Sequence, residues 1–167
     1  MEPVLLVDPP VADLDDFLAR GGGAGLDRAL GLGPGATIQE VILSGLRGRG
    51  GGGFPTGRKW QSVSDSAAGE QTFVVCNGAE GEPATFKDRA IMRANPYAVV
   101  EGVAIAAFAV GAERAFIGVK ERFGPECERL PRRWTRWWRP GCSATSRSRS
   151  CWARTTTCTA RRPACSR

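Results

Sequence analysis

The apolar positions change their period twice between residues 72 and 120. Residues 72–77 (Thr-Phe-Val-Val-Cys-Asn) make a short apolar run that stops at a glycine, and this reads as a buried strand. Beyond Asn95-Pro96 the spacing lengthens. Val99, Val103, Ala106, Ala107 and Val110 recur near one side of a helix that runs to about Val110 and that Gly111 closes. Proline is well tolerated at the first helical position, so Asn95-Pro96 ends one helix and opens the next. The earlier helix is expected over 87–94, with Thr85 as its candidate cap. Residues 115–120 (Ala-Phe-Ile-Gly-Val-Lys) return to a strand pattern. Strand, helix, strand in that order predicts a parallel α/β unit.

Upstream, Thr37-Ile38-Gln39-Glu40 fits a capping box, a hydroxyl followed three residues later by an acid. It predicts a short helix to about Leu43, with Ile38, Val41 and Ile42 on one side and Ser44-Gly45 as its end. The glycines of 46–60 predict a loop. Residues 1–35 are rich in Gly and Pro around two weak helical patches, 11–20 and 26–30. Asp13, Asp15 and Asp16 stand early in the first, as suits a helix N-terminus. The expected organisation is a loosely packed lead-in over 1–35, an α/β domain over 36–123 and a tail over 124–167.

Composition sharpens this division. The chain of 167 residues is long enough for one domain with a real core and too short for several. No apolar run approaches 20 residues, so no membrane span is expected, and the N-terminus shows no secretory signal; the expected location is the cytoplasm. The net charge of +6 is the sum of two unlike pieces. All 17 acidic residues lie in 1–128 with 12 Lys and Arg, a net of −5, whereas 129–167 carries 11 Arg and no acid. Cysteine divides the same way. Cys76 stands alone in the body as an expected packed thiol, and Cys127, Cys142, Cys151, Cys158 and Cys165 crowd the end. There is no C-x-x-C and no His, so neither a zinc site nor an iron–sulfur pattern is supported, and no metal ligands are assigned.

Two segments carry candidate chemistry. In the first, Gly48-x-Gly50-x-x-Gly53 matches the dinucleotide fingerprint in form, but it follows a helix and not a strand. Gly52-x4-Gly57 approaches a P-loop but has Arg58-Lys59 where Lys-Ser/Thr is required. Consecutive glycines still allow backbone N–H groups to approach a phosphate or a flat ring, and Arg47, Arg49, Arg58 and Lys59 add positive charge. A flexible linker is the alternative. The second segment, Cys76 to Pro83, follows the first strand, at the strand end where open α/β sheets hold ligands. There Asn77 is able to donate and accept, and Glu80 and Glu82 are able to bind hydroxyls or orient a basic group; a solvated acidic turn is the alternative. Lys87, Asp88 and Arg89 read as surface charges at a helix start.

Taken together, "GLRGRGGGGFPTGRKW" (45–60), "VVCNGAEGEPATFKDR" (74–89) and "EGVAIAAFAVGAERAFIGVKERF" (101–123) resemble the 51 kDa-type flavoprotein subunit of NADH:quinone oxidoreductase, complex I. The resemblance implies the N-terminal part of an FMN-binding α/β domain, a parallel sheet with flanking helices. It implies hydride transfer from NADH to FMN, then single electrons to iron–sulfur clusters and quinone. Diaphorase subunits of soluble hydrogenases and formate dehydrogenases share the pattern. By position, Gly48, Arg49, Gly50, Gly51 and Lys59 would meet the FMN phosphate and ring, and Asn77 and Glu80 would complete the cofactor contacts. Phe54 would stack on the adenine of NADH, with Glu80 and Glu82 lining the nicotinamide side. The flavin carries the chemistry, so no side chain is assigned a catalytic role. The implied partners are peripheral-arm redox subunits, especially a 24 kDa-type 2Fe-2S subunit, with neither nucleic acid nor membrane insertion. The ligands of the family's 4Fe-4S cluster have no counterpart here. Ala79 stands where the family often has Asp, and Ser62 where it often has a second aromatic.

From Leu130 onward there is no Ile, Val, Phe, Lys or acid, and no helix or strand period. A nucleic-acid-binding tail of interleaved Trp and Arg is one reading, and disorder a second. A change of reading frame is the third, and the codons favour it. If the third base of each codon is joined to the first two of the next, Cys conceals N-TG (Leu, Val or Met) and Thr conceals N-AC (Asp or Tyr among others). Residues 142–166 then permit "LLGDVTLTVVLGPDDYLYGEEAGLL", a strand followed by the family's Tyr-x-Gly-Glu-Glu segment, and 134–141 permit "LDEMVAAG". The crossing falls between Phe123 and Trp134. On this reading the chain lacks part of its own nucleotide site, the later ubiquitin-like region and the C-terminal cysteine cluster. Sequencing the coding DNA beyond the Phe123 codon should reveal the Tyr-x-Gly-Glu-Glu codons in a shifted frame; their absence from all frames would refute the frame reading.

Overall fold

The computed structural model describes residues 5–49, 51–67 and 71–130 in full and residues 137–138, 152–153 and 155–160 by their backbone. Helices α1 (Leu14–Ala19), α2 (Ala24–Leu32), α3 (Pro34–Leu43) and α4 (Thr56–Ser66) precede strand β1 (Phe73–Asn77). Helices α5 (Lys87–Ala94) and α6 (Pro96–Ala109) lead to β2 (Arg114–Lys120), and α7 (Gly124–Arg129) follows. Strands β1 and β2 pair in parallel, from Phe73 opposite Arg114 to Asn77 opposite Gly118. The expected α/β unit is therefore present.

Period dictates the core. Along β2, alternate residues Ala115, Ile117 and Val119 are buried, and they pack with Val100, Val103 and Ala107 of α6 and Met92 of α5. The α6 face read from the sequence is buried at Val103, Ala106, Ala107 and Val110. Burial on this face begins one turn earlier, at Val100, and the opposite side of α6 is covered by α2. Helix α2 has a glycine N-cap and no side-chain cap of its own chain segment. Glu101, in the middle of α6, supplies the missing acceptors: the N–H groups of Leu26 and Gly23 donate to its carboxylate at 2.9 and 3.2 Å.

Five expectations are corrected. Strand β1, expected to be buried, has no buried residue: Phe73 and Val75 are 48% and 68% exposed, because its helix-covered side carries only the half-buried Val74 and Cys76. The lead-in is not loose. Val11, Phe17, Leu26 and Ala29 are buried, and the Val11 N–H donates to Ala94 O at 2.8 Å. The groove they fill is built by α5, α6 and α7, so a short, weakly amphipathic segment gave no sign of it. The capping box is unused: α3 begins at Pro34, and Thr37 lies inside it, its hydroxyl donating to Gly33 O at 2.8 Å. Proline already holds the backbone torsion that a first helical residue needs. The loop expected over 46–60 is shorter, because α4 starts at Thr56, and the glycine run masked that start. The folded unit also runs past residue 123. Glu126 and Leu130 of the α7 region are 1% and 2% exposed, and Glu126 accepts from Arg93 Nε at 2.7 Å.

Residues 131–136, 139–151, 154 and 161–167 of the expected tail lie outside the described residues. Within the tail, β3 (Trp137–Trp138) pairs with β4 (Trp152–Ala153), and β5 (Thr155–Ala160) runs parallel beside β2. No strand was expected there from hydrophobic period; threonine's β-branched side chain suits extended backbone without one.

Helices α3 and α4 meet through Gly57. A Cβ at that position would stand 2.6 Å from Ile42 N and 2.8 Å from Ile42 Cα, backbone atoms with nowhere to retreat. Gly57→Ala should therefore lower the unfolding free energy by about 1–3 kcal/mol, the cost of an overpacked contact. Urea denaturation of the two chains checks it; equal midpoints would mean that the helices separate freely.

Candidate functional site

The glycine segment is closed at its base. Arg47 and Pro55 form an antiparallel bridge, Gly48 N–H donates to Phe54 O at 2.9 Å, and Thr56 N–H donates to Leu46 O at 2.9 Å. The Arg47 guanidinium also donates to Gly53 O at 3.1 Å. These bonds argue against a free linker. Inside the closure, Gly51 and Gly53 take left-handed torsions (φ 88° and 56°) that side-chain-bearing residues avoid. Gly50 lies outside the described residues. The returning strand of the loop runs directly into α4, whose N-cap is Pro55 and whose first turn receives no side-chain capping bond. Thr56 N–H is already taken by Leu46 O, so only the amides after it in the first turn are without a capping side chain. Arg49, Arg58 and Lys59 are exposed, and their side chains have no hydrogen bond or ion pair among the described residues. Phe54 is 59% exposed at the rim.

The turn after β1 is fixed from three sides. Gly78 N–H donates to Gly118 O at 2.8 Å, tying the turn to β2. Ala79 N–H donates to Asn77 Oδ1 at 3.0 Å. One lone pair of the Asn77 side-chain oxygen is therefore used within the turn, which orients the amide and leaves its NH2 as a donor. Glu80 is buried at a positive φ of 23°. Its Oε1 accepts from Asp88 N–H at 3.0 Å, its Oε2 accepts from Arg89 Nε at 3.2 Å, and its carbonyl accepts from Lys120 Nζ at 2.6 Å. Burial works to raise the Glu80 carboxyl pKa; the bonds from the Asp88 amide and the Arg89 guanidinium outweigh it and leave it below its ordinary value.

Arg89 and Lys120 were not singled out as site residues in the sequence. Arg89 read as a surface charge, yet it engages buried Glu80, and its guanidinium stands 5.2 Å from the Phe123 ring centroid. The signal was a strand-end lysine and a helix-start arginine flanking an acidic turn, and only the α/β topology brings them together. Thr85 does not cap α5; its hydroxyl donates to Glu82 O at 3.0 Å, and Phe86 occupies the cap position. Cys76 is a half-buried thiol whose pKa is raised by burial, with the Asp88 charge adding, so it stays neutral and packed.

The two segments face each other. A Cβ at Gly51 would stand 3.8 Å from Glu82 Oε1, so the exposed glycine backbone looks across at the second turn. Beside it opens a cavity of about 390 Å³ whose lining includes Glu82, Pro83, Thr85, Arg89, Arg122 and Phe123. Among the described residues no group of three His, Cys, Asp or Glu is placed to hold a metal, and no helix is long and apolar enough to cross a membrane.

A parallel α/β unit with a cationic glycine loop facing the turn after its first strand defines a class, the mononucleotide-binding α/β domains. The Nuo51 FMN-binding domain family matches residues 41–139, and the chain belongs to that family. It is 44% identical over 133 residues to the second NADH-quinone oxidoreductase F subunit of Rhizobium meliloti (strain 1021), covering 77% of this chain and 31% of that one. It is 45% identical over 117 residues to the NADH-quinone oxidoreductase F subunit of Rhodobacter capsulatus, covering 70% and 27%. The HndC subunit of the NADP-reducing hydrogenase of Solidesulfovibrio fructosivorans is 40% identical over 124 residues, covering 74% and 24%. Among solved structures, an NAD+-reducing nickel–iron hydrogenase in its H2-reduced state superposes with a TM-score of 0.56 at 36% identity, covering 62% of this chain and 18% of that one. The chain thus spans less than a third of the length of these relatives.

A carboxyl that holds its proton less tightly in the fold than in the unfolded chain stabilises the fold at neutral pH. That contribution disappears as pH falls through the lowered pKa. Urea unfolding followed from about pH 6 to about pH 3 should show an acid-side loss of stability that Glu80→Gln reduces. Superimposable pH profiles for the two chains would mean that Glu80 contributes nothing through its charge.

Proposed function

We propose that this chain forms the FMN cradle of an NADH-oxidising flavoprotein subunit. The observation that supports the reading is the approach of the Glu82 carboxylate to the Gly51 backbone, which brings the glycine loop and the turn after β1 to one place. Gly48, Arg49, Gly50, Gly51 and Lys59 hold the phosphate side: exposed backbone, an uncapped α4 N-terminus and cations unpaired among the described residues suit a dianion. The Asn77 amide NH2 meets the ring edge. Phe54 supplies a face for the adenine of NADH, and Glu82 stands on the nicotinamide side. FMN held there would supply the hydride-accepting and one-electron chemistry, while these residues supply position and charge. The electrons go on through iron–sulfur clusters to quinone; a diaphorase role is the second reading, favoured by the likeness to hydrogenase subunits. The 4Fe-4S cluster belongs to parts of the family outside this chain's residues. The partners are other redox subunits of a multi-subunit complex, including a 24 kDa-type 2Fe-2S subunit, at the cytoplasmic face of the membrane.

Titration of the full chain with FMN, followed by loss of flavin fluorescence, tests the cradle. One-to-one binding is expected. Lys59→Ala should weaken it about tenfold, the weight of one charge-assisted phosphate contact. Gly51→Val should abolish it by placing a branched side chain in the gap beside Glu82. A chain that leaves FMN free in solution would end this reading.

A further inference from the structure

Resting on the flavin reading, we infer that Glu80, Arg89 and Lys120 form a clasp that positions the Asn77 turn, with Glu80 acting through the turn and not as a ligand contact. Both carboxylate oxygens of Glu80 are occupied by α5, one by the Asp88 N–H and the other by Arg89 Nε. The residue is 8% exposed, so although it lines the cavity beside the turn it presents little surface there. Its backbone takes a positive φ that a side-chain-bearing residue holds only when neighbours impose it. Those neighbours come from two elements: α5 grips the side chain, and the last residue of β2 grips the carbonyl through Lys120 Nζ. On one side of Glu80 lies Ala79, whose amide fixes the Asn77 side chain. On the other lies Glu82, which faces Gly51. The height of the whole turn over the glycine loop is therefore set at Glu80. Lys120 and Arg89 are positioning residues, and the Phe123 ring, 5.6 and 5.2 Å from their charges, holds both heads in place.

The clasp is tested first in the full chain without flavin, by amide hydrogen exchange. Lys120→Met should speed exchange at Gly78, Ala79 and Asp88 about tenfold while α6 amides keep their protection; Lys120→Arg should restore slow exchange. Unchanged exchange at those three amides in Lys120→Met would overturn the clasp, whatever FMN does. The second arm uses FMN. At saturating flavin, Lys120→Met should alter the visible circular dichroism of bound FMN, which a mere loss of global stability would leave alone. Glu80→Gln, Arg89→Met and the double variant should weaken FMN to the same extent, because each releases one clasp. Losses that multiply in the double variant would place Glu80 in direct contact with the ligand and overturn the inference. If the unmodified chain binds no FMN while the exchange results hold, the flavin reading fails and the clasp stands.

Discussion

The parallel pairing of β1 with β2, pressed down by α6, is the constraint on which the site depends. Ile117 and Val119 lie buried beneath α6, so β2 cannot slip by one residue without turning its apolar side chains out to water. That register sets Asn77 beside Gly118, and Gly118 O in turn receives the Gly78 N–H. Where the sheet pairing ends, the binding turn begins. The packed core thus fixes where the turn starts, and the bonds of Asp88, Arg89 and Lys120 to Glu80 hold the rest of it.

Charge is distributed unequally between the two halves of the cradle. In the second turn Glu80 pairs with Arg89 and Lys87 with Asp88, while Glu82 forms no ion pair among the described residues. On the glycine loop, the side chains of Arg49, Arg58 and Lys59 stand in solvent, likewise without an ion pair among the described residues. Residues 1–128 as a whole are acidic, so these cations are a local exception to the field of the folded part. Cations without an internal salt bridge have none to break when a ligand enters.

The departures from the family pattern take on physical meaning in this setting. Ala79 contributes its backbone N–H to Asn77, a bond that no side chain at that position is required to make. Ser62 is an exposed residue of α4, so the position faces solvent and not the core. Neither residue is needed as a side chain by the scaffold.

The period of apolar residues determined α6 and β2, which each bury one face, whereas β1 was legible as a strand but not as the exposed one it is, with Phe73 and Val75 48% and 68% exposed. The bounds of α5 were legible to the residue, and those of α6 to within one, from Asn95-Pro96 and Gly111. The glycine loop and the Asn77 turn were legible as candidate ligand segments from residue type alone. Tertiary structure decided the rest. Val11 and Leu26 are buried because α5, α6 and α7 make a groove for them, and Glu101 caps α2 across 75 residues of chain. Lys120 meets Glu80 across 40 residues. Contacts so distant in sequence leave no local period, since a hydrogen bond formed by a long side chain demands one polar residue at each end and nothing in between.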